Sequence, residues 1–179
     1  MSLERPLSTL ELTVLGVVLK RGPCVAHAVV GEFADSSTYA YRSGAGSIYP
    51  LLKRLHKAGI LAFEKKKYSI TEEGIRALRS WIMPPFEQTD FSTTLDALRS
   101  RAYFLKLLSP SEIQDFTDRA IEGLEGLLAK CEETRQVYVR SGDRFSEIAM
   151  LGAVMETEAR IAWLREVRKE FAGALPTAN

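Results

Sequence analysis

The chain has 179 residues, 46% of them hydrophobic, with 24 Lys/Arg against 23 Asp/Glu, enough apolar material for one sizeable domain or two small ones. Cys24 and Cys131 stand far apart, form no CxxC pair and have only His27 and His56 for company, so neither a disulfide framework nor a metal site is expected. The longest uncharged apolar run, LTVLGVVL, is far short of the roughly 20 residues that cross a bilayer, and MSLERPLS has no signal-peptide pattern, so a cytoplasmic protein without membrane contact is expected. The near-neutral total hides an asymmetry. Residues 1–82 hold 12 Lys/Arg against 7 Asp/Glu, and residues 83–179 hold 12 against 16, which hints that the front half meets a polyanion.

In chain order, Ser8 and Glu11 have capping-box spacing and Leu7 and Leu12 form a hydrophobic staple, predicting a first helix from about Thr9 to Lys20. Gly22 and Pro23 break it, and a second helix is expected from about Cys24 to Phe33. The polar stretch ADSSTYAYRSGAG follows, then GSIYPLLKRLHKAGIL, residues 46–61. Here Ile48, Leu51, Leu52 and Leu55 share one side of a helix at about 100° per residue, and Tyr49, Lys53, Arg54 and Lys57 take the remaining arc. Gly59 suits a left-handed cap. Pro50 allows two readings: a helix that starts near Ser47 with the proline in its first turn, or one that starts near Gly44 and is distorted.

ILAFEKKKYSIT reads as two strands, Ile60–Glu64 and Lys67–Ile70, around a lysine-rich reversal that lacks the usual Asn-Gly or Asp-Gly. Thr71 then caps a fourth helix, EEGIRALRSWI, which MPP stops. The order is that of a winged helix-turn-helix, residues 1–85. After a linker at residues 83–90, three helical segments are expected in a second domain, residues 90–175: STTLDALRSRAYFLKLL, then a long helix opened by Ser109, Pro110 and Glu112, then a last helix after RSGD. The middle one carries a seam of Ile113, Phe116, Ala120, Leu124, Leu127, Cys131, Thr134 and Tyr138. The last one has an apolar surface broader than one neighbour requires, and Ile148, Leu151, Met155, Ile161, Trp163 and Leu164 are expected at a homodimer interface. The fold class is therefore mainly α: a winged helix-turn-helix with a short hairpin wing, plus an antiparallel helical dimerisation domain.

With LGVVLKRGP, GSIYPLLKRLHKAGIL and YSITEEGIRAL in the first domain, and LDALRSRAYFLKLLS and AWLREVRKEF in the second, the sequence resembles the PadR family of bacterial transcriptional regulators, in its longer subgroup. The resemblance covers essentially the whole chain, and GSIYPLLKRL is its most specific part. It implies a homodimer on a palindromic operator in double-stranded DNA, usually a repressor released by a small molecule such as a phenolic acid or a drug. The third helix would enter the major groove with Ser47 and Tyr49 near its start and Lys53 and Arg54 reaching bases or phosphates. Arg42 and Ser43 would touch phosphates. Lys57 lies on the same helix face, and Lys65, Lys66 and Lys67 form the wing tip. Two features depart from the family pattern: the wing is short, and CVAHAVVGEF replaces a His-Gly-Tyr-Glu type segment.

Each sharp reading has a plainer competitor. The basic helix face is otherwise a solvated surface, and the lysine turn a soluble loop. Trp81 and Trp163 either line an effector cavity or simply pack. The sequence has no GxSxG, Walker loop, HExxH or Cys/His pairing, so neither an enzyme nor a cofactor is expected. The rival function is a winged-helix docking module without DNA binding, which would not require an exposed cationic third helix.

Overall fold

The computed structural model describes residues 5–36, 42, 45–83 and 96–172. The chain divides into two compact units, Met1–Phe91 and Ser92–Asn179; most of the expected linker lies outside the described residues, as does Ser43.

In the first unit, α1 (Thr9–Arg21) opens with the expected capping box: the Ser8 hydroxyl accepts from the Glu11 amide, and the Glu11 carboxylate accepts from the Ser8 amide. α2 spans Ala26–Ala34, two residues later than the sequence suggests. The cause is Cys24, whose backbone exchanges hydrogen bonds of 3.0 and 2.8 Å with Tyr68 and so forms an isolated antiparallel bridge to the hairpin instead of opening the helix. Burial raises the Cys24 thiol pKa against the lowering influence of Arg21, which marks an inert packing residue.

A 3-10 turn, Ala45–Ser47, leads into α3 (Ile48–Lys57). Pro50 is the third residue of α3, where its missing N–H would have had no helical partner. Of the two sequence readings, the structure takes the first. Gly59, at φ 78°, closes α3; its amide donates to the His56 carbonyl (2.9 Å) and the Ile60 amide to the Leu55 carbonyl (3.0 Å). That crossed pair is a Schellman cap, and it turns the chain directly into β1 (Leu61–Glu64). β1 pairs antiparallel with β2 (Lys67–Ile70), Phe63 facing Tyr68 and Glu64 facing Lys67. α4 (Glu72–Ile82) follows, capped by the Thr71 hydroxyl on the Gly74 amide. Leu15, Val18, Val29, Phe33, Ile48, Leu52, Leu55 and Leu61 form the centre of the core.

Two contacts lock this unit. Gly74 lies so close to the hairpin that a Cβ would run into the Ile60 carbonyl oxygen and the Ile70 side chain. Glu11 is 1% exposed yet carries a charge. Its carboxylate accepts from the Ser8 amide (2.8 Å), the Ser8 hydroxyl (2.8 Å), Arg5 (2.9 Å) and, from α3, Arg54 (2.5 Å). Burial alone would push this carboxyl up, but the four donors together outweigh it and bring its pKa down to about 2.

In the second unit, α5 covers only Ala97–Ala102, with Asp96 as its cap and a 3-10 turn at Leu105–Leu107 beyond it. The continuous helix expected there is interrupted because AYFLKLL runs apolar residues together instead of spacing them on one face; only Leu105 among them is buried, while Tyr103, Phe104 and Leu107 are exposed. Asp96 is also bound by Arg160 (3.0 Å), which ties α5 to the last helix. α6 (Pro110–Ser141) and α7 (Arg144–Ala172) form an antiparallel hairpin, each more than 40 Å long at about 1.5 Å per residue. Cross-pairs Arg168–Asp118, Arg165–Glu125 and Arg135–Glu147 mark the register.

The seam of α6 differs from the predicted one. Ile113, Thr117, Ile121, Leu124 and Cys131 are buried, while Phe116, Ala120 and Leu127 sit partly buried beside them. Thr117 can occupy the inside because its hydroxyl donates to the Ile113 or Gln114 carbonyl one turn back. On α7, Val154, Thr157, Ile161 and Leu164 face inward. Ile161 and Leu164, expected at a subunit interface, are 4% and 0% exposed within this one chain and belong to its own α6–α7 core.

Two stability predictions follow from the locks. Gly74→Ala should lower unfolding stability by about 2 kcal/mol through overpacking, read as a lower urea midpoint with an unchanged slope. The Glu11 contribution should be complete above about pH 4.5 and lost as pH falls toward about 2. Because both arginine partners are half exposed, the effect is discounted to roughly 2 kcal/mol. Between pH 5 and 2 the wild type should lose most of that stability relative to Glu11→Gln; parallel curves would show that folding leaves the Glu11 pKa unshifted.

Candidate nucleic-acid interface

α3 presents two faces. Ile48, Leu51, Leu52 and Leu55 are buried, and Tyr49, Lys53, Arg54, His56 and Lys57 are exposed. At about 100° per residue, Tyr49, Lys53 and Lys57 fall within roughly 80° of one another, in the middle of the outward arc. Tyr49 is 45% exposed. Ser47, at the N-cap position, is exposed and makes no capping hydrogen bond. The start of α3 thus offers a hydroxyl and a phenol, followed by two lysines one turn apart.

Both flanks of this face are fastened to the rest of the unit. On one side Arg54 reaches back to the buried Glu11 of α1. On the other, His56 Nδ1–H donates to the Leu61 carbonyl (3.0 Å), and its ring leans on Phe63, which in turn packs on Tyr68 with centroids 4.6 Å apart. The sequence identified Arg54 as a cation on the outward arc; the structure places its guanidinium on an internal carboxylate. Neither Glu11 nor His56 is legible from the sequence as a partner of this face. Ser8 and Glu11 were legible as a cap, but nothing local marks a bond between residues 43 positions apart.

The wing is a two-residue turn with Lys65 and Lys66 at φ 48° and 62°. Positive φ at both central positions is what a type I′ hairpin turn requires, and it normally selects Asn, Asp or Gly. Lysines held there carry backbone strain, and both side chains, with Lys67, project into solvent. Among the described residues, none of Lys53, Lys57, Lys65, Lys66 and Lys67 has an ion-pair or hydrogen-bond partner through its side chain. Arg42 is exposed and donates to the Ser36 carbonyl (2.6 Å).

The other expected residues divide. Trp81 is exposed on α4, whereas Trp163 packs against the α6–α7 core. Ile148, Leu151 and Met155 are exposed on α7, and the structure adds Phe145, 87% exposed, to their stripe. Among the described residues, no group of His, Cys, Asp and Glu is arranged to hold a metal, and no helix is long and apolar enough to cross a membrane.

With this geometry in view, comparison with known proteins is specific. The family described as "Transcriptional regulator PadR-like family" matches residues 14–80, from α1 to α4. The negative transcriptional regulator PadR of Bacillus subtilis (strain 168) is 25% identical over 175 residues, spanning 88% of this chain and 94% of that protein. Crystal structures of Bacillus subtilis PadR in complex with operator DNA and with p-coumaric acid share the fold at TM-scores of 0.77 and 0.78, with 20% and 21% identity, each over 92% of this chain and 99% of the PadR chain. The first unit thus matches the PadR-like family of transcriptional regulators from α1 to α4, and the chain is similar to PadR in sequence and in fold along most of its length.

Proposed function

We propose that the chain is a cytoplasmic, homodimeric regulator that binds a palindromic operator and acts as a repressor. The observation that carries this is the outward face of α3, where Tyr49, Lys53 and Lys57 stand exposed without internal partners. A solvated surface has no need to hold such a face at the third position of a winged helix, and a docking module has no need of its charge. In the proposed complex the first turn of α3, with Ser47 and Tyr49, reads base edges, while Lys53 and Lys57 fix register on phosphates. Arg42 and Ser43 approach the backbone ahead of α3, and Lys65, Lys66 and Lys67 do so from the wing. That Bacillus subtilis PadR has been seen with operator DNA supports this reading. The family is not a class of enzymes, and the proposed mechanism is binding without catalysis.

Residues 1–85 are assigned the DNA-binding role and residues 90–175 dimerisation. The stripe of Phe145, Ile148, Leu151 and Met155 is a contiguous apolar surface of the kind a second subunit covers. Two reading helices would then stand about 34 Å apart, one turn of DNA. A small-molecule effector, by analogy with the p-coumaric acid bound to PadR, would release the operator only through unequal affinity for the bound and free arrangements. Trp81 on α4 and Trp163 on α7 are the aromatic side chains proposed for effector contact, each considered within its own unit.

Fluorescence anisotropy with labelled DNA from upstream of the chain's own gene, against scrambled DNA across a salt series, tests the reading. Affinity for the upstream DNA alone, falling steeply with salt, supports a sequence-specific regulator; no binding to either DNA at low salt removes it. Lys53→Ala should weaken binding to all sequences and reduce the log–log salt slope by about one, the counterion released at one phosphate. A chain truncated after Met83 should stay folded but be largely monomeric and bind the operator far more weakly, and a stable dimer of that fragment in sedimentation would refute the assignment of dimerisation to the second unit.

A further inference from the structure

We infer that Arg54 serves DNA recognition as a positioning residue: anchored on the buried Glu11 carboxylate, it fixes the rotation of α3 about its own axis and hence the aim of Tyr49, Lys53 and Lys57. The inference rests on the DNA-binding reading above and adds to it an internal partner for the reading helix.

Four observations lead to it. At about 100° per residue, Arg54 lies roughly 100° from the centre of the Tyr49–Lys53–Lys57 arc but only about 60° from the buried Leu51, on the flank that faces the core. Its guanidinium is 2.5 Å from Glu11, whereas the lysines of α3 and the wing have no such partner among the described residues. Glu11 is a fixed point, because the first turn of α1 and three other donors, from Ser8 and Arg5, hold the same carboxylate. The opposite flank is held by His56 on the Leu61 carbonyl, so the two bonds together resist rotation in either sense. Rotation matters at this scale. With side chains extending about 5–6 Å from the axis, a 20° turn displaces their ends by about 2 Å, enough to take a hydrogen bond out of range.

The arrangement also separates two kinds of loss. A phosphate contact contributes to every sequence and to the salt slope, whereas a positioning contact contributes to the fit between helix and base edges. Removing the second should cost specific affinity and leave nonspecific, salt-dependent affinity in place.

The test uses the full-length chain and a duplex that the wild type enriches from a random-sequence pool, compared with scrambled duplex across a salt series. Arg54→Met, which keeps an apolar stem, and Glu11→Gln, which keeps the shape of the acceptor, are each expected to weaken the selected duplex about tenfold. Scrambled DNA should stay within about twofold and the salt slope within about half a unit of wild type. Because the two act as one unit, the double variant should be no weaker than the worse single one. Arg54→Lys, which retains a cation within reach of Glu11, should recover most of the loss. If Glu11→Gln fails to fold, the Arg54→Met and Arg54→Lys pair decides alone. Equal losses on both duplexes with a slope lower by about one in Arg54→Met would make Arg54 a direct phosphate contact and overturn the inference, as would folded variants that bind like wild type. A wild type that enriches no sequence and binds no duplex would instead overturn the DNA-binding reading, and this inference with it.

Discussion

The buried carboxylate of Glu11 is the constraint on which the first unit is organised. A charge at 1% exposure is stable only if donors surround it, and those donors come from three places: the N-cap Ser8 of α1, Arg5 ahead of it, and α3. The requirement to satisfy one oxygen pair therefore fixes the entry of the chain, the first turn of α1 and the orientation of α3 at once. Apolar packing of Ile48, Leu52 and Leu55 brings α3 against the core, but such packing tolerates small rotations; a hydrogen-bonded ion pair is directional. Non-directional burial sets where α3 lies, and the bonds of Arg54 and His56 add direction to how it is held.

The second unit applies the same polar chemistry to register. The α6–α7 hairpin has threonines inside, Thr117 and Thr157, each bonded to its own helix one turn back, so they take up inward positions without demanding a partner across the interface. Alignment then falls to the cross-helix ion pairs and to Asp96, which caps α5 and holds Arg160. Burial would raise the Asp96 pKa, but the Leu98 amide and the charge of Arg160 prevail and lower it, as expected of a carboxylate that must stay ionised to perform both tasks.

Much of this was legible in the sequence because it is local. Ser8 with Glu11, Thr71, and Ser109 with Pro110 and Glu112 announced helix starts within four residues, and the Leu/Ile spacing of residues 48–55 announced the buried face of α3. What the sequence did not disclose is non-local or decided by competition. Cys24 looked like the start of a helix until Tyr68, more than forty residues on, offered its backbone a strand partner. The α6 seam moved to Thr117 and Ile121 because a threonine can satisfy itself on its own helix, which a count of apolar residues cannot register. Ile161 and Leu164 read as outward because a broad apolar helix does not reveal which part of its surface its own chain covers. Among candidate site residues, the sequence separated outward from inward on α3 but not paired cations from unpaired ones.

That last distinction explains how a nearly neutral chain can present a cationic surface. In the second unit, Arg119, Arg135, Arg144, Arg160, Arg165, Arg168 and Lys169 each sit on a carboxylate of the same unit. Their fields close on themselves within a few ångströms, and salt screens what remains. In the first unit, the arginines at 5, 21, 54 and 76 are paired in the same way, whereas the lysines of α3 and the wing are not. An unpaired, hydrated lysine costs the fold little, but it keeps its full charge for an external anion and gains most where many phosphates displace counterions together. The arginine fork suits fixed, bidentate bonds that hold helices in place, and the flexible lysine suits a contact that must form and break. The surface potential of the chain therefore depends less on how many charges each half holds than on which of them the fold has already paired.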